Sequence, residues 1–371
     1  MIAERPCGLL KLLASSKDKR TKVLDFLIER SILKERSFFI KGVLITGKPQ
    51  TSKGLAALIA GVLIAQSLLL FVFAWPATRS APHKVPLAVA GNPAILAALG
   101  QKLSSGPSQA FIVLPASDRA KATRLVMERK AYGAIVIDQK GATLEIATGA
   151  SPTIASALQS TLAPALSIAL PSGVSLQIQD LAPNPAKDPH GTGIPSSLIP
   201  LIIAAIGFGA LIAFRQVHRT RKVAGVFIFS VAAGLLVTWI LQSLLGALTG
   251  SFINNASVFG LGVFSIALLT LGLVSTLGIR GVPISALIIL ILGFPLSGVF
   301  GARELLPVPW GTFGSWLPTG ALNTALRSSS FFDLAGSAGS LLILSLWAFF
   351  GLFLMSFATD LPRRKTGYDE K

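Results

Sequence analysis

Long uncharged apolar runs alternate with short basic segments along most of the chain. The first run, Gly54 to Trp75, has only Gln66 and Ser67 as polar interruptions. About 20 apolar residues are enough to cross a bilayer as a helix. The run is too long, and begins too far from Met1, for a cleaved secretory signal. It is expected to stay as a first span, 54–75, that carries the next segment of chain across the membrane. A second span is expected at 196–214, closed by Arg215, Arg219, Arg221 and Lys222. Residues 223–279 carry no charge. That length exceeds one helix and fits two, 223–248 and 257–278, divided near Gly250–Asn255. Pro283 to Ala302 predicts a fifth span and Leu334 to Thr359 a sixth.

Residues 76–195 differ, with charges spaced throughout. Val85–Ala90 reads as a strand, Pro93–Leu103 as a helix and Ala110–Leu114 as a buried strand. Ser117-Asp118 is a helix cap, and the helix is expected to reach Ala131. Tyr132–Ile137 and Thr143–Ala147 read as strands joined by a hairpin-like turn over Asp138-Gln139-Lys140-Gly141. Pro152–Ala169 predicts a mostly apolar helix kinked at Pro164, and Val174–Gln179 a last strand. Strands alternating with helices predict a small α/β domain with a partly parallel sheet. Pro183, Pro185, Pro189, Gly191, Gly193 and Pro195 read as a linker back to the membrane.

The expected fold is therefore an α-helical polytopic membrane protein. It has six transmembrane helices and an extracytoplasmic α/β domain between the first and second. Composition agrees: 52% of residues are hydrophobic, only 13% are charged, and mean hydropathy is +0.68. A soluble chain has about a quarter of its residues charged. The net charge of +17 sits mostly in segments flanking apolar runs. No segment interleaves basic and aromatic residues as a nucleic-acid groove would, so no nucleic-acid partner is expected. The short loops obey the positive-inside rule in a single orientation. In it 1–53, 215–222, the Arg280 region and the tail 360–371 are cytoplasmic. The expected location is the plasma membrane, multi-pass, with both termini cytoplasmic and the bilayer as first partner. The 196–359 portion would form a five-helix membrane domain.

Few groups are available for catalysis. Cys7 is alone, and His83, His190 and His218 are scattered, which leaves little for a metal centre. Gly42-Val-Leu-Ile-Thr-Gly47-Lys48-Pro49 approaches the nucleotide-binding G-x-x-x-x-G-K-[ST] pattern, but proline replaces the hydroxyl that would meet Mg²⁺. No cofactor, metal or catalytic residue is expected, and the chain is not read as an enzyme. Residues 17–40 mix bases with Val23, Leu24, Leu27, Ile28, Ile32 and Leu33 at roughly helical spacing. They read either as a membrane-surface anchor or as a docking helix for a cytoplasmic partner. Polar residues within the spans are functional candidates. They are Gln66, Gln242, Asn254, Asn255 and boundary Arg280, with no carboxylate between Asp188 and Glu304. Gly246-Ala-Leu-Thr-Gly250 has helix-packing spacing, which a glycine-rich chain also produces by chance. Segment 303–333 is apolar enough to enter the membrane yet broken by Pro and Gly. Such backbone at membrane depth must be shielded by protein or face a water-filled cavity. It reads as a re-entrant pair of short helices, or else as an amphipathic surface loop. Arg303, Glu304, Trp310, Trp316 and Arg327 are its candidate site residues.

Gly293-Phe294-Pro295, Leu306-Pro307, Trp316-Leu-Pro318 and Asn323-Thr-Ala-Leu-Arg327 together resemble the type-2 permeases of ABC transporters, in the branch of the phage-infection-protein-like membrane proteins. Tyr132-Gly133-Ala134-Ile135-Val136-Ile137 and Asp188-Pro189-His-Gly191 are similar to phrases of that branch. The resemblance covers roughly 54–360, and the long segment 1–53 departs from it. It implies a permease subunit of an ATP-driven exporter that lacks its own ATPase. Such a subunit would pair as a homo- or heterodimer, bind a separate cytoplasmic ATPase subunit and move a hydrophobic or amphipathic substrate. The alternative is a cell-surface receptor or secretion scaffold that acts through its extracytoplasmic domain.

Overall fold

The computed structural model describes residues 52–91, 110–138, 141–169 and 175–358. The amphipathic stretch 17–40, the Gly42–Pro49 motif, the expected helix at 93–103 and the tail 360–371 lie outside the described residues. The chain divides into two units, Met1–Ser67 and Leu68–Lys371, and the boundary falls within the first helix, α1 (Ser52–Thr78). α1 holds 27 residues, about 40 Å at 1.5 Å per residue. Leu58, Ile64 and Leu70 are among its exposed apolar side chains.

The α/β part contains β1 (Val85–Ala90), β2 (Phe111–Ala116), β3 (Gly133–Asp138), β4 (Gly141–Ile146) and β5 (Leu176–Asp180), in the sheet order β2-β1-β3-β4-β5. β1 runs parallel to β2 and β3, β3 and β4 form the expected antiparallel hairpin, and β4 pairs with β5 in parallel. Successive side chains point to opposite faces. On one face Leu87, Val89, Ile135 and Leu144 pack with Ile154, Leu158 and Leu162. On the other, Ala88, Ala134 and Val136 are small enough to admit Ala122 and Val126 of α2 (Arg119–Met127). Asp118 caps α2 as expected, its Oδ1 accepting the Lys121 N–H at 2.8 Å.

Four local expectations are corrected. β2 is not a buried strand: among the described residues it pairs only with β1, and Ile112 is exposed. As an edge strand it can also hold Pro115 without losing a ladder bond. α2 ends at Met127, short of Ala131, because Arg129 adopts φ 58 and the Lys130 and Ala131 N–H groups both return to the Leu125 carbonyl. Pro164 does not simply kink a helix. Instead α3 (Pro152–Ala157) widens into a π turn over Leu158–Leu162 ahead of α4 (Ala163–Ala169). That turn accommodates a proline ring that would collide with the carbonyl four residues back. The Pro/Gly-rich stretch 183–195 is more than a linker. The Asp188 carboxylate accepts from the Thr192 N–H and hydroxyl and from the Gly193 N–H at 2.7–3.0 Å. This starts α5 (Gly193–Ala213) ahead of the expected Ser196.

Five helices are long and apolar enough to cross a membrane: Lys53–Thr78, Gly193–Ala213, Arg219–Leu244, Phe252–Leu296 and Ala338–Ser356. The third is α6 (Arg219–Thr238) continued by a π turn to Leu244. It includes Arg219, Arg221 and Lys222, which the charge pattern assigns to a loop. The Arg219 guanidinium donates to the Met355 and Ala358 carbonyls, and Lys222 Nζ donates to Ala213 O at 2.7 Å. These cations thus occupy carbonyls at the C-terminal ends of two helices, where the helix dipole is negative. The fourth run is not straight. α7 (Phe252–Leu277) stops at Gly278, whose φ of 63 no continuing helix tolerates, and Gly281 then lies against Leu273 and Val274. α8 (Gly281–Ala286) therefore folds back against α7 and is continued by a π turn over Leu287–Leu292 and by α9 (Gly293–Leu296). The expected fifth span ends at Leu296 and not at Ala302, since turns around Gly298 (φ 64) come next. The chain then forms α10 (Trp310–Ser315) and α11 (Pro318–Phe331). Positive φ at Asp333 and Leu334 delays the last helix, α12 (Ala338–Ser356), past the expected Leu334.

α7 is the axis of the helical core, with Phe259, Val263, Ile266 and Leu269 fully buried. Its neighbours approach through glycines. Gly209 meets the Ala267 carbonyl, Gly234 meets Ala256 and Gly260, and Gly272 meets Gly351 of α12. No Cβ fits at these crossings, as in close-packed membrane helices generally. Gly246 and Gly250 are not among them. Both take positive φ in the turn between α6 and α7.

Candidate functional site

The segment after α9 is bound to the α/β part along its length. The Ala81 and His83 N–H groups donate to the Leu305 and Glu304 carbonyls at 3.0 and 2.8 Å. The Glu304 side chain accepts from Tyr132 Oη at 2.7 Å and from Arg303 Nε at 2.8 Å. Burial first, and the Glu304 charge second, push the Tyr132 phenol far above its ordinary range, so it keeps its proton and donates.

Two arginines carry the joint farther. Arg129, held by its left-handed backbone at the end of α2, sends Nη1 to the Thr324 carbonyl at 2.9 Å and the Ser328 hydroxyl at 2.7 Å. Its guanidinium lies 5.4 Å from the Phe332 ring centre, a cation–π distance. Burial holds it below its ordinary pKa. Thr324 and Ser328 flank Arg327 on α11. Arg327 is only 3% exposed, and Nη1 donates to the Gly149 carbonyl at 3.3 Å. Its Nε and the nearby Asn323 Oδ1 are buried with no hydrogen-bond partner. Gly149 is close to the Phe331 ring, leaving no space for a side chain there.

Between these elements lies a cavity of about 830 Å³. Lys121, Arg129, Lys130, Arg303 and Arg327 face it, against a single carboxylate, Glu304. Lys130 is paired to Glu128 at 2.7 Å and Arg303 to Glu304. Among the described residues neither Arg129 nor Arg327 has an ion-pair partner. The arrangement suits binding of a negatively charged group. No cluster of three His, Cys, Asp or Glu occurs among the described residues.

Four of the five residues singled out from sequence, Arg303, Glu304, Trp316 and Arg327, line this cavity. Trp310 does not. It packs edge-on against Trp75 and Phe313, with ring centres 6.3 Å apart in each case. Trp316 is exposed, and its carbonyl accepts from Trp347 Nε1 at 2.8 Å. Arg129 was missed as a site residue. Arg129-Lys130 reads as the solvated end of a helix, and only the reach of Arg129 from the turn after α2 to α11 reveals its burial. Asn255, read as a functional candidate, is a structural node. Its Nδ2 donates to Gln242 Oε1 and the Thr249 carbonyl, and its Oδ1 accepts from Ser329 and Ser330. Gln66 and Arg280 are exposed.

Comparison of the chain with protein-family models, with curated proteins and with solved structures finds no match.

Proposed function

We propose that the chain is a membrane permease subunit of an ATP-driven exporter, energised by a separate cytoplasmic ATPase. The observation that carries this reading is the helix pair α10–α11. It is inserted between the last two apolar helices, keeps Asn323 and Arg327 buried, and joins the α/β part across a basic cavity. A short broken pair with buried polar groups is what a polar path at membrane depth requires. Counting the reversal at Gly278 as a turn between two crossings makes six crossings in all. The termini then share one side, and the α/β part lies on the other. The basic residues Arg219 to Lys222 support the cytoplasmic assignment of that helix end. This orientation fits the plasma membrane, and pairing of two such chains would complete the transporter.

The test is purification of the full chain from gently solubilised membranes, with mass spectrometry and an ATPase assay. The expected outcome is a stoichiometric ATPase whose hydrolysis the chain stimulates. Recovery of the chain without an ATPase, or with an extracellular ligand alone, would favour the receptor or scaffold.

A further inference from the structure

The cavity between the α/β part and α11 combines two properties that seldom coexist. One is buried charge without an ion-pair contact, the carboxylates that act on it, Asp188 on Arg327 and Glu304 on Arg129, doing so only from a distance. Arg327 is nearly inaccessible, cannot shed its proton under ordinary conditions, and leaves Nε–H unanswered. Arg129 approaches the same turn of α11 and is satisfied only by a carbonyl, a hydroxyl and a ring face. A buried cation is normally paired or bound to an anion. The other property is an apolar lining. Leu114, Leu125 and Trp316 face the cavity, and Ile343, which lies inside the apolar run of α12, faces it as well. The cavity thus extends from two buried guanidinium groups to the level of a membrane-crossing helix. Its volume of about 830 Å³ falls within the range of small-molecule sites, ~300–1,000 Å³.

We propose that this cavity binds an amphiphile carrying a phosphate-type oxyanion, with Arg327 and Arg129 on the oxyanion and the Trp316–Ile343 side on the alkyl chain. Guanidinium groups suit this task because their planar N–H forks match oxyanions with two parallel bonds. Lys121, at the exposed edge, adds attraction for a negative headgroup. Glu304 does not oppose it, because Tyr132 and Arg303 already hold both of its oxygens. The proposal deepens the exporter reading by naming a cargo class, and it rests on that reading only for the direction of movement.

The experiment tracks the thermal unfolding midpoint of the full chain in dodecyl maltoside micelles. Three probes are titrated: dodecyl phosphate, inorganic phosphate and uncharged dodecanol. Ligand bound to the folded state alone raises the midpoint saturably. The expected result is a saturable rise with dodecyl phosphate, none with dodecanol, and a far weaker response to inorganic phosphate. Arg327→Gln and Arg129→Gln should each weaken the apparent Kd about tenfold or more, the size expected for a charged hydrogen bond. Arg327→Lys, which keeps the charge but loses the fork, should fall between. Should the glutamine variants fold poorly, Ile343→Trp keeps every charge, narrows the apolar side, and should still weaken dodecyl phosphate. Absence of a saturable rise, as a merely hydrated cavity would give, overturns the proposal. So does an equal response to inorganic phosphate, which would mark a free-oxyanion site, or binding that survives both arginine changes. No ATPase takes part, so failure here leaves the co-purification result standing, and the reverse also holds.

Discussion

The helical core around α7 and the joint between α11 and the α/β part solve opposite problems. In the core, the contacts at Gly209, Gly234 and Gly272 are made of shape alone, backbone against backbone. At the joint, Arg129, Arg327 and Tyr132 meet carbonyls, hydroxyls and a carboxylate. The first kind of contact has no tolerance for added volume and none for being opened. The second can exchange a protein partner for a ligand oxygen at little cost, since either satisfies the same donor. The contrast points to a rigid helical axis and an adjustable roof above it.

The comparison can be broken most severely at the axis. Gly272→Val places a branched side chain against Gly351, and overpacking of this kind should cost about 3 kcal/mol or more. Loss of the monodisperse folded species during purification is the readout. Asn255→Ala comes next. It strips Ser329, Ser330 and Gln242 of their shared partner, for about 2 kcal/mol, visible as a lowered unfolding midpoint. Tyr132→Phe removes one bond to a carboxylate at the joint, about 1.5 kcal/mol. Hydrogen exchange should quicken around 303–305 and 81–83 while α7 stays protected.

The same residue sharpens the comparison through pH. Folding raises the Tyr132 pKa, so its contribution is complete below the unfolded value of about 10. Above that the unfolded chain releases the proton while the folded chain keeps it, and stability declines. In the folded protein, tyrosinate absorbance developing near pH 10 should therefore be the same with and without Tyr132→Phe. Smallest of all is Lys130→Gln. It breaks only the exposed pair with Glu128, and no measurable change in unfolding midpoint is expected.

Apolar runs were enough to locate the helices, because hydrophobicity over about twenty residues is a local property. The break at Gly250–Asn255 and the hairpin at Asp138–Gly141 were legible for the same reason: turn residues act where they stand. Helix ends were less so. Asp188 reaches forward to start α5, and the backbone of Asp333 and Leu334 delays α12, neither of which hydropathy records. The site was half legible. Arg327 and Glu304 stand out as charges within an apolar, Pro/Gly-broken stretch. Arg129 sits among Glu128 and Lys130, and nothing nearby distinguishes a buried charge from two solvated ones. Asn255 was conspicuous as a polar residue in an apolar run, and its polarity serves four internal hydrogen bonds.

Arg219 and Lys222 give the basic turn after α5 a second meaning. The positive charges that would orient the helices during insertion end up clasping the final carbonyls of α5 and the carbonyls at the end of α12. One set of atoms would act first as an address read by the insertion machinery and later as a knot between the ends of distant segments. Relocating those charges to invert the protein would therefore also untie the bundle. If those charges set the orientation, orientation and assembly would not be independently evolvable traits in this chain.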